Sequence, residues 1–237
     1  MKRNAIVLFV AFMASIASKV EAQNLQVLHD TGRECVTTTF EMFRPDAFGS
    51  TFLFVDLDFS PVAELGYTEI GRELCFWQDS KWNWLSVHVE FNGGFETAYQ
   101  YENAWLLGLT YSGHSEDFSK TWSATASYKT IPGLVGPNSK EQPHSFQLTG
   151  VCGINFLNNW CSFSGFADFW RQPFTWDNSN SMTEFVLMTV PQFWVNLNNL
   201  KGWKNVNLSL GGELEISNNF VKKGLYAAPA FGAKWTF

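Results

Sequence analysis

Beyond residue 22 the chain lacks any apolar stretch of the roughly 18 residues that a membrane-spanning helix needs, so helical spans are excluded. It is also short of charge. Asp, Glu, Lys and Arg make up 16% of it, against about 25% in ordinary globular domains. The formal net charge is −6, which argues against nucleic acid or anionic lipid as the main partner. No Cys-x-x-Cys occurs, and His29, His88, His114 and His144 are scattered, so metal signatures are missing. No Gly-x-Ser-x-Gly elbow occurs either; Ser162-Phe163-Ser164-Gly165 reads as strand. A lipase would need a serine and histidine with a third orienting group, and none is evident. The expectation is a protein without cofactor, metal or catalysis.

Aromatic side chains are in excess, with 11 Trp and 23 Phe in 237 residues. Many aromatics, few charges and repeated short alternating segments are what a transmembrane β-barrel predicts. The competing class is a secreted β-sandwich with an aromatic carbohydrate face. The last segment weighs for the barrel. Phe231, Ala233, Trp235 and Phe237 fall on one face of a final strand, and Gly232, Lys234 and Thr236 on the other. Such an apolar edge invites aggregation in water. It is stable where the last strand pairs with the first and lipid covers the apolar face.

The first residues fit export. Lys2 and Arg3 precede an apolar run from Ala5 to Ala17, too short to span, and Val20-Glu21-Ala22 offers a cleavage site. Residues 1–22 are read as a signal peptide and 23–237 as one barrel domain. Removing Lys2, Arg3, Lys19 and Glu21, a net +2, takes the charge from −6 to near −8. The location implied is the bacterial outer membrane.

β-rich segments bounded by Gly, Pro, Asn, Asp or Ser recur at 24–31, 36–44, 50–59, 67–77, 85–92, 103–111, 118–129, 144–156, 161–171, 184–197, 205–217 and 225–237. These are twelve, an even number, and most cover the roughly 9–11 residues a tilted strand needs. The fold class expected is therefore all-β, a 12-stranded antiparallel transmembrane barrel of the outer membrane. Outer loops are placed at 93–102, 130–143 and 172–183, with shorter periplasmic turns such as Leu157-Asn158-Asn159. Trp77, Trp82, Trp84, Trp160, Trp170, Trp203 and Trp235 fall near strand ends, where aromatic girdles at both interfaces would place them. Trp105 and Trp122 are placed on the lipid face.

Alternation then assigns the lumen. Inward positions are Thr39, Glu41 and Phe43; Phe54, Asp56 and Asp58; Glu69, Gly71 and Glu73; His88, Glu90 and Asn92; Thr121, Ser123 and Thr125. Later strands add Phe166, Asp168 and Trp170; Gln192, Trp194 and Asn196; Glu213 and Glu215; and Lys234. Arg72 lands on the lipid side, so it either snorkels or sits at a bulge. Nine inward carboxylates with few cations make a poor anion pore, which needs rings of Arg or Lys. Carboxylates accept hydrogen bonds from hydroxyl and amino groups, and aromatic faces stack on bases or sugars. Such a lumen favours neutral or cationic ring-bearing solutes such as nucleosides. The same side chains would also serve to hydrate and brace a closed barrel. Cys152 and Cys161 flank a short turn where a cross-strand disulfide is conceivable. The preferred reading makes each of Cys35, Cys75, Cys152 and Cys161 a small apolar lipid-facing residue.

Thr39-Phe40-Glu41-Met42-Phe43-Arg44-Pro45-Asp46, then Gly49, then Phe52-Leu53-Phe54-Val55-Asp56, resembles the first strand pair of the nucleoside-specific channel-forming outer-membrane family (Tsx-like). Glu69-Ile70, Gly165-Phe166-Ala167-Asp168-Phe169 and the ending Gly232-Ala233-Lys234-Trp235-Thr236-Phe237 are similar in the same order. The chain is shorter than that pattern and carries Asp168 where an amide would also fit. The resemblance implies a flattened monomeric barrel with a narrow nucleoside-binding channel. It implies Glu41, Phe43, Asp56, Glu69, Phe166 and Asp168 as the solute-binding residues. A general small-solute porin, and a structural or partner-binding barrel without a pore, are the alternatives.

Overall fold

The computed structural model describes residues 23–96, 103–135, 140–176 and 181–237. Residues 1–22, and with them the expected signal peptide, lie outside the described residues, as does most of the expected loop 93–102. Twelve strands follow one another: β1 (Gln23–Asp30), β2 (Cys35–Asp46), β3 (Gly49–Phe59), β4 (Ala63–Leu74), β5 (Leu85–Glu96), β6 (Ala104–His114), β7 (Lys120–Thr130), β8 (His144–Phe156), β9 (Cys161–Trp176), β10 (Ser181–Asn196), β11 (Leu208–Asn218) and β12 (Leu225–Thr236). Each pairs antiparallel with the next, and β12 closes on β1 from Asn24↔Thr236 to Asp30↔Ala230. Closure satisfies every edge, the one way strands remain stable in lipid. All twelve expected segments are strands. The fourth starts and ends earlier than expected, at Ala63 and Leu74 rather than 67 and 77. β9 and β10 extend into what reads as loop 172–183.

Period-2 alternation sorts the wall into two surfaces. On β6, Trp105, Leu107 and Leu109 are half exposed, at 52%, 57% and 54%, whereas Leu106 between them is 3% exposed. The exposed set faces outward and the buried set inward. Val87, Val89 and Phe91 pair with Leu109, Leu107 and Trp105 and continue the outer face. Leu148, Phe169 and Leu187 do so on β8, β9 and β10. The outer surface is apolar over much of its girth, as lipid requires.

Arg72 stays in register, because the β3–β4 ladder shifts only at Asp58/Phe59. Its guanidinium forms a fork with Asp46 at 2.7 and 2.8 Å and donates to Thr51 at 3.0 Å. The strand ends here, so the outward arginine is neutralised at the rim. A charge on the lipid face costs about 0–1 kcal/mol near the interface and about 2–4 at the midplane.

Connections alternate between the end holding the first and last residues of the barrel, termed the terminal end, and the far end. The terminal end carries 47–48, 75–84, 115–119, 157–160 and 197–207. Its turns are not uniformly short, since 75–84 and 197–207 are long. These two segments hold Trp77, Trp82, Trp84 and Trp203, while Trp122, Trp160 and Trp235 fall at the same rim. The tryptophan girdle is thus concentrated at one interface, with Trp82, Trp84 and Tyr111 packed ring to ring. Trp170, expected both near the girdle and on the inner face, takes the inner face: it points into the lumen and is 5% exposed. Tight turns use residues that tolerate positive φ. Leu157, Asn158 and Asn159 form one such run. Gly49 has φ 138°, and a Cβ there would stand 1.9 Å from the Glu73 carbonyl oxygen.

The cysteines divide. All four are free thiols. Cys152 and Cys161 face outward, paired with Gly165 and Phe156. Cys35 instead points inward against Thr37, and Cys75 is buried in the connection after β4.

Candidate functional site

The lumen holds two polar clusters. The first is built by β1, β2, β3, β10, β11 and β12. Asp30 ends β1 and accepts hydrogen bonds from the Gly32 and Arg33 amides at 2.7 and 2.9 Å. This turn throws Arg33 back over the far mouth. Its guanidinium reaches Asp30 at 2.7 Å, Asp58 on β3 at 3.1 Å and Glu215 on β11 at 3.8 Å. Burial opposes the charge, but Asp58, Asp30 and Glu215 together hold the Arg33 guanidinium above its ordinary pKa. Below it, Thr37 donates to Asp58 and Thr39 to Asp56, both at 2.6 Å. Asn24 donates to Glu41 at 2.8 Å, and Gln192 to Glu213 at 3.1 Å. Glu41, Asp56 and Glu213 lie within electrostatic reach of one another. Trp194 fills the space beside them. It is fully buried, packs with Leu28 and Ala230, and carries the Lys234 ammonium 4.4 Å above its ring.

The second cluster spans β3 to β9. Phe52, Phe54 and Tyr67 form a ladder of rings 6.0 and 5.8 Å apart on the inner wall. Phe43 lies opposite Phe52 in register, at the terminal mouth. The Tyr67 hydroxyl donates to Glu69 at 2.7 Å. Glu69 in turn lies within electrostatic reach of Glu90 on β5, Asp168 on β9 and Lys129 on β7. Asp168 accepts from the Thr149 hydroxyl. Beside these, His88 bridges Glu73 at 2.6 Å and Glu90 at 3.1 Å, and Glu73 also accepts from Ser86 and Thr110.

The far mouth is narrowed from several sides. Arg33 crosses it. Phe220, in the connection 219–224, meets Trp170 edge-on at 5.6 Å. Ile131 and Leu134 fold inward onto Ala104 and Leu106, fixed by Ile131 N–H to Pro143 O and Gln142 N–H to Leu134 O, each 2.8 Å.

The six sequence-chosen residues therefore do not share one pocket. Glu41 and Asp56 join the first cluster. Glu69 and Asp168 join the second, and Phe166 lies on the inner wall of β9 two positions from Asp168. Phe43 stands apart at the mouth, 46% exposed. Several groups in these clusters were not chosen, Phe52 and Asn24 among them. Asp30, Tyr67 and Lys129 all follow from the period of 2, Lys129 by continuing the inward run Thr121, Ser123, Thr125, Ser127. Arg33 lies in a turn, where no periodicity indicates direction.

A family model described as "Domain of unknown function (DUF5020)" matches residues 22–237. No curated protein matches the chain. Among solved structures the chain is similar to one described as "NanC porin structure in rhombohedral crystal form". The TM-score is 0.60 at 7% identity, over 91% of this chain and all of that one. Another, from "Unveiling the Mechanism Behind the in-meso Crystallization of Membrane Proteins", gives a TM-score of 0.47 at 7% identity, over 91% of this chain and 83% of that one. At these identities the likeness to the porin is one of fold.

Proposed function

The chain belongs to the family described as Domain of unknown function (DUF5020), which brings no activity with it, and we propose from its lumen that it is an outer-membrane channel for passive uptake of small solutes, nucleosides foremost. The observation that carries this reading is the ladder Phe52–Phe54–Tyr67 leading onto Glu69, Glu90 and Asp168. A base or sugar face stacks on such rings, while its hydroxyl and amino donors meet carboxylates. Phosphate-bearing solutes are repelled by the same carboxylates. Glu41, Phe43 and Asp56 then act nearer the terminal mouth, and Phe166 beside Asp168. Residues 1–22 act as the export signal, and the barrel works as a monomer in lipid.

A specific observation favours a second reading. Trp194, Leu28 and Ala230 pack inside the barrel, and three connections fold over the far mouth. A barrel closed this way is a structural or partner-binding element. Proteoliposomes carrying the refolded protein decide the matter. Adenosine and thymidine uptake is compared with sugars of similar size and with the matching nucleotides. Faster nucleoside uptake supports the selective channel. Equal uptake of all neutral solutes makes it a general porin, and no uptake makes it a closed barrel.

A further inference from the structure

The acidic part of the second cluster contains a cation of its own. Lys129 is 7% exposed on the inner wall of β7. Its ammonium donates to Gln147 Oε1 at 2.7 Å and stands 4.7 Å over the Trp170 ring. It faces Glu69, Asp168 and Glu90 at electrostatic range, yet among the described residues no carboxylate closes on it as an ion pair. Three carboxylates thus share one ammonium held at a distance. His88 takes part of the Glu90 charge, and Thr149 one lone pair of Asp168.

Two further buried atoms on the same inner wall lack a partner. Asn92 Oδ1 and Ser127 Oγ have no hydrogen-bond partner among the described residues, though Asn92 is 5% and Ser127 6% exposed. Asn92 sits opposite Glu69 in the β4–β5 register and two positions from Glu90. Ser127 precedes Lys129 on the same inner face of β7 and pairs with Gln147. A buried oxygen without a partner is costly, so such atoms mark where a donor belongs. These atoms share the inner wall with the carboxylates of Glu69, Glu90 and Asp168 and with the rings of Tyr67 and Trp170. An ammonium group offers three donors and a positive charge suited to both.

We propose that this cluster is a binding site for a ring-bearing organic ammonium ion, and that Lys129 is its internal competitor, occupying the cation position over Trp170 until a solute takes it. The inference rests on the reading of a solute-accessible lumen and narrows it. Among solutes of one size, those with a protonated amine beside a ring are held longest. Lys129 sets how tightly, because removing its charge leaves Glu69 and Asp168 with no counter-ion but the solute, and Glu90 with only its share of His88.

The test is calorimetric titration of the refolded full barrel in detergent with 2-phenylethylammonium, and with 2-phenylethanol as its neutral counterpart, at fixed ionic strength. The expected result is binding of the ammonium and not of the alcohol. Lys129→Met should bind it about tenfold more tightly and Asp168→Asn about tenfold more weakly, the scale of one desolvated charge contact. Lys129→Gln, which keeps a polar end without the charge, carries the same expectation should the methionine variant fail to refold. Equal binding of ammonium and alcohol, or no gain in either Lys129 variant, overturns the inference. Nucleoside uptake without ammonium binding overturns this inference alone. Ammonium binding without nucleoside uptake supports it and removes the channel reading.

Discussion

Arg33 stands 3.8 Å from Glu215 across the far mouth, joining the β1–β2 turn to β11 through the lumen rather than along the wall. The same guanidinium neutralises Asp30 and Asp58, which are almost fully buried. Arg33→Ala should therefore have two effects. It widens the mouth, so single-channel conductance in planar bilayers rises. It also strands two buried carboxylates, which costs about 3 kcal/mol where a buried pair is broken. The urea midpoint should fall accordingly, and Arg33→Lys should recover part of it. An unchanged conductance with a lowered midpoint would assign Arg33 to bracing alone.

Because those carboxylates raise its pKa, Arg33 keeps its charge at every pH the barrel will experience. The acid response of the terminal end is expected from a different residue. Asp117, in the β6–β7 turn, accepts from the Ser115 hydroxyl at 2.6 Å and from the Ser119 amide and hydroxyl at 3.0 and 2.8 Å. These bonds favour its ionised form and hold its pKa down to about 2. A carboxylate with a depressed folded pKa stabilises above its unfolded value, about 3.9, and loses that contribution as pH falls through the folded one. The turn should be indifferent between about pH 7 and 5 and weaken from about pH 4 to 2. Thermal unfolding across that range should show a smaller acid loss in Asp117→Asn than in the wild type.

Trp194 is the largest side chain wholly hidden in the lumen. Its indole donates to Gln192 at 3.1 Å, and its face carries the Lys234 ammonium at 4.4 Å. Trp194→Ala should cost about 3–5 kcal/mol, the usual range for a buried aromatic truncated to alanine. The same change opens the β10–β12 side of the lumen. If the packed side limits flux, conductance rises even as stability falls. If conductance is unchanged, solutes pass along the β3–β9 side, where Phe54, Tyr67 and Glu69 lie.

Strand number, barrel closure and the inner face were legible because one physical rule governs all three. A strand with lipid on one side and polar groups on the other must alternate, so Leu107 and Leu109 announce Leu106 and Thr110 as inward. The rule says nothing about residues that leave the ladder. Arg33, Phe220 and Leu134 reach the lumen from connections, by turn geometry and not by period. Nor does alternation tell which inward residues meet across the barrel. Glu41 and Glu69 read alike in sequence, yet one joins Asp56 and Glu213 and the other Glu90 and Asp168. Trp170 shows the rule outweighing position along the strand. It sits near a strand end as a girdle residue would, and only its even position on β9 turns it inward.

The proposed acid filter is tested most directly at Glu41 and Asp56. Each is held by one neighbour, Glu41 by Asn24 and Asp56 by Thr39, and both lie within reach of Glu213. Three carboxylates on one stretch of lumen concentrate cations and repel anions. Glu41→Ala with Asp56→Ala leaves Glu213 alone and should lower the preference for cationic over anionic solutes several-fold in a proteoliposome flux ratio. The variant should still refold, because it removes charges that repel each other and strands only the Thr39 hydroxyl and the Asn24 amide, at about 1–3 kcal/mol per buried group. The decline should be smaller in high salt, where the remaining charges are screened over about 3 Å at 1 M. A flux ratio unmoved at low salt would take Glu41 and Asp56 out of the filter and leave selectivity to Glu69, Glu90 and Asp168.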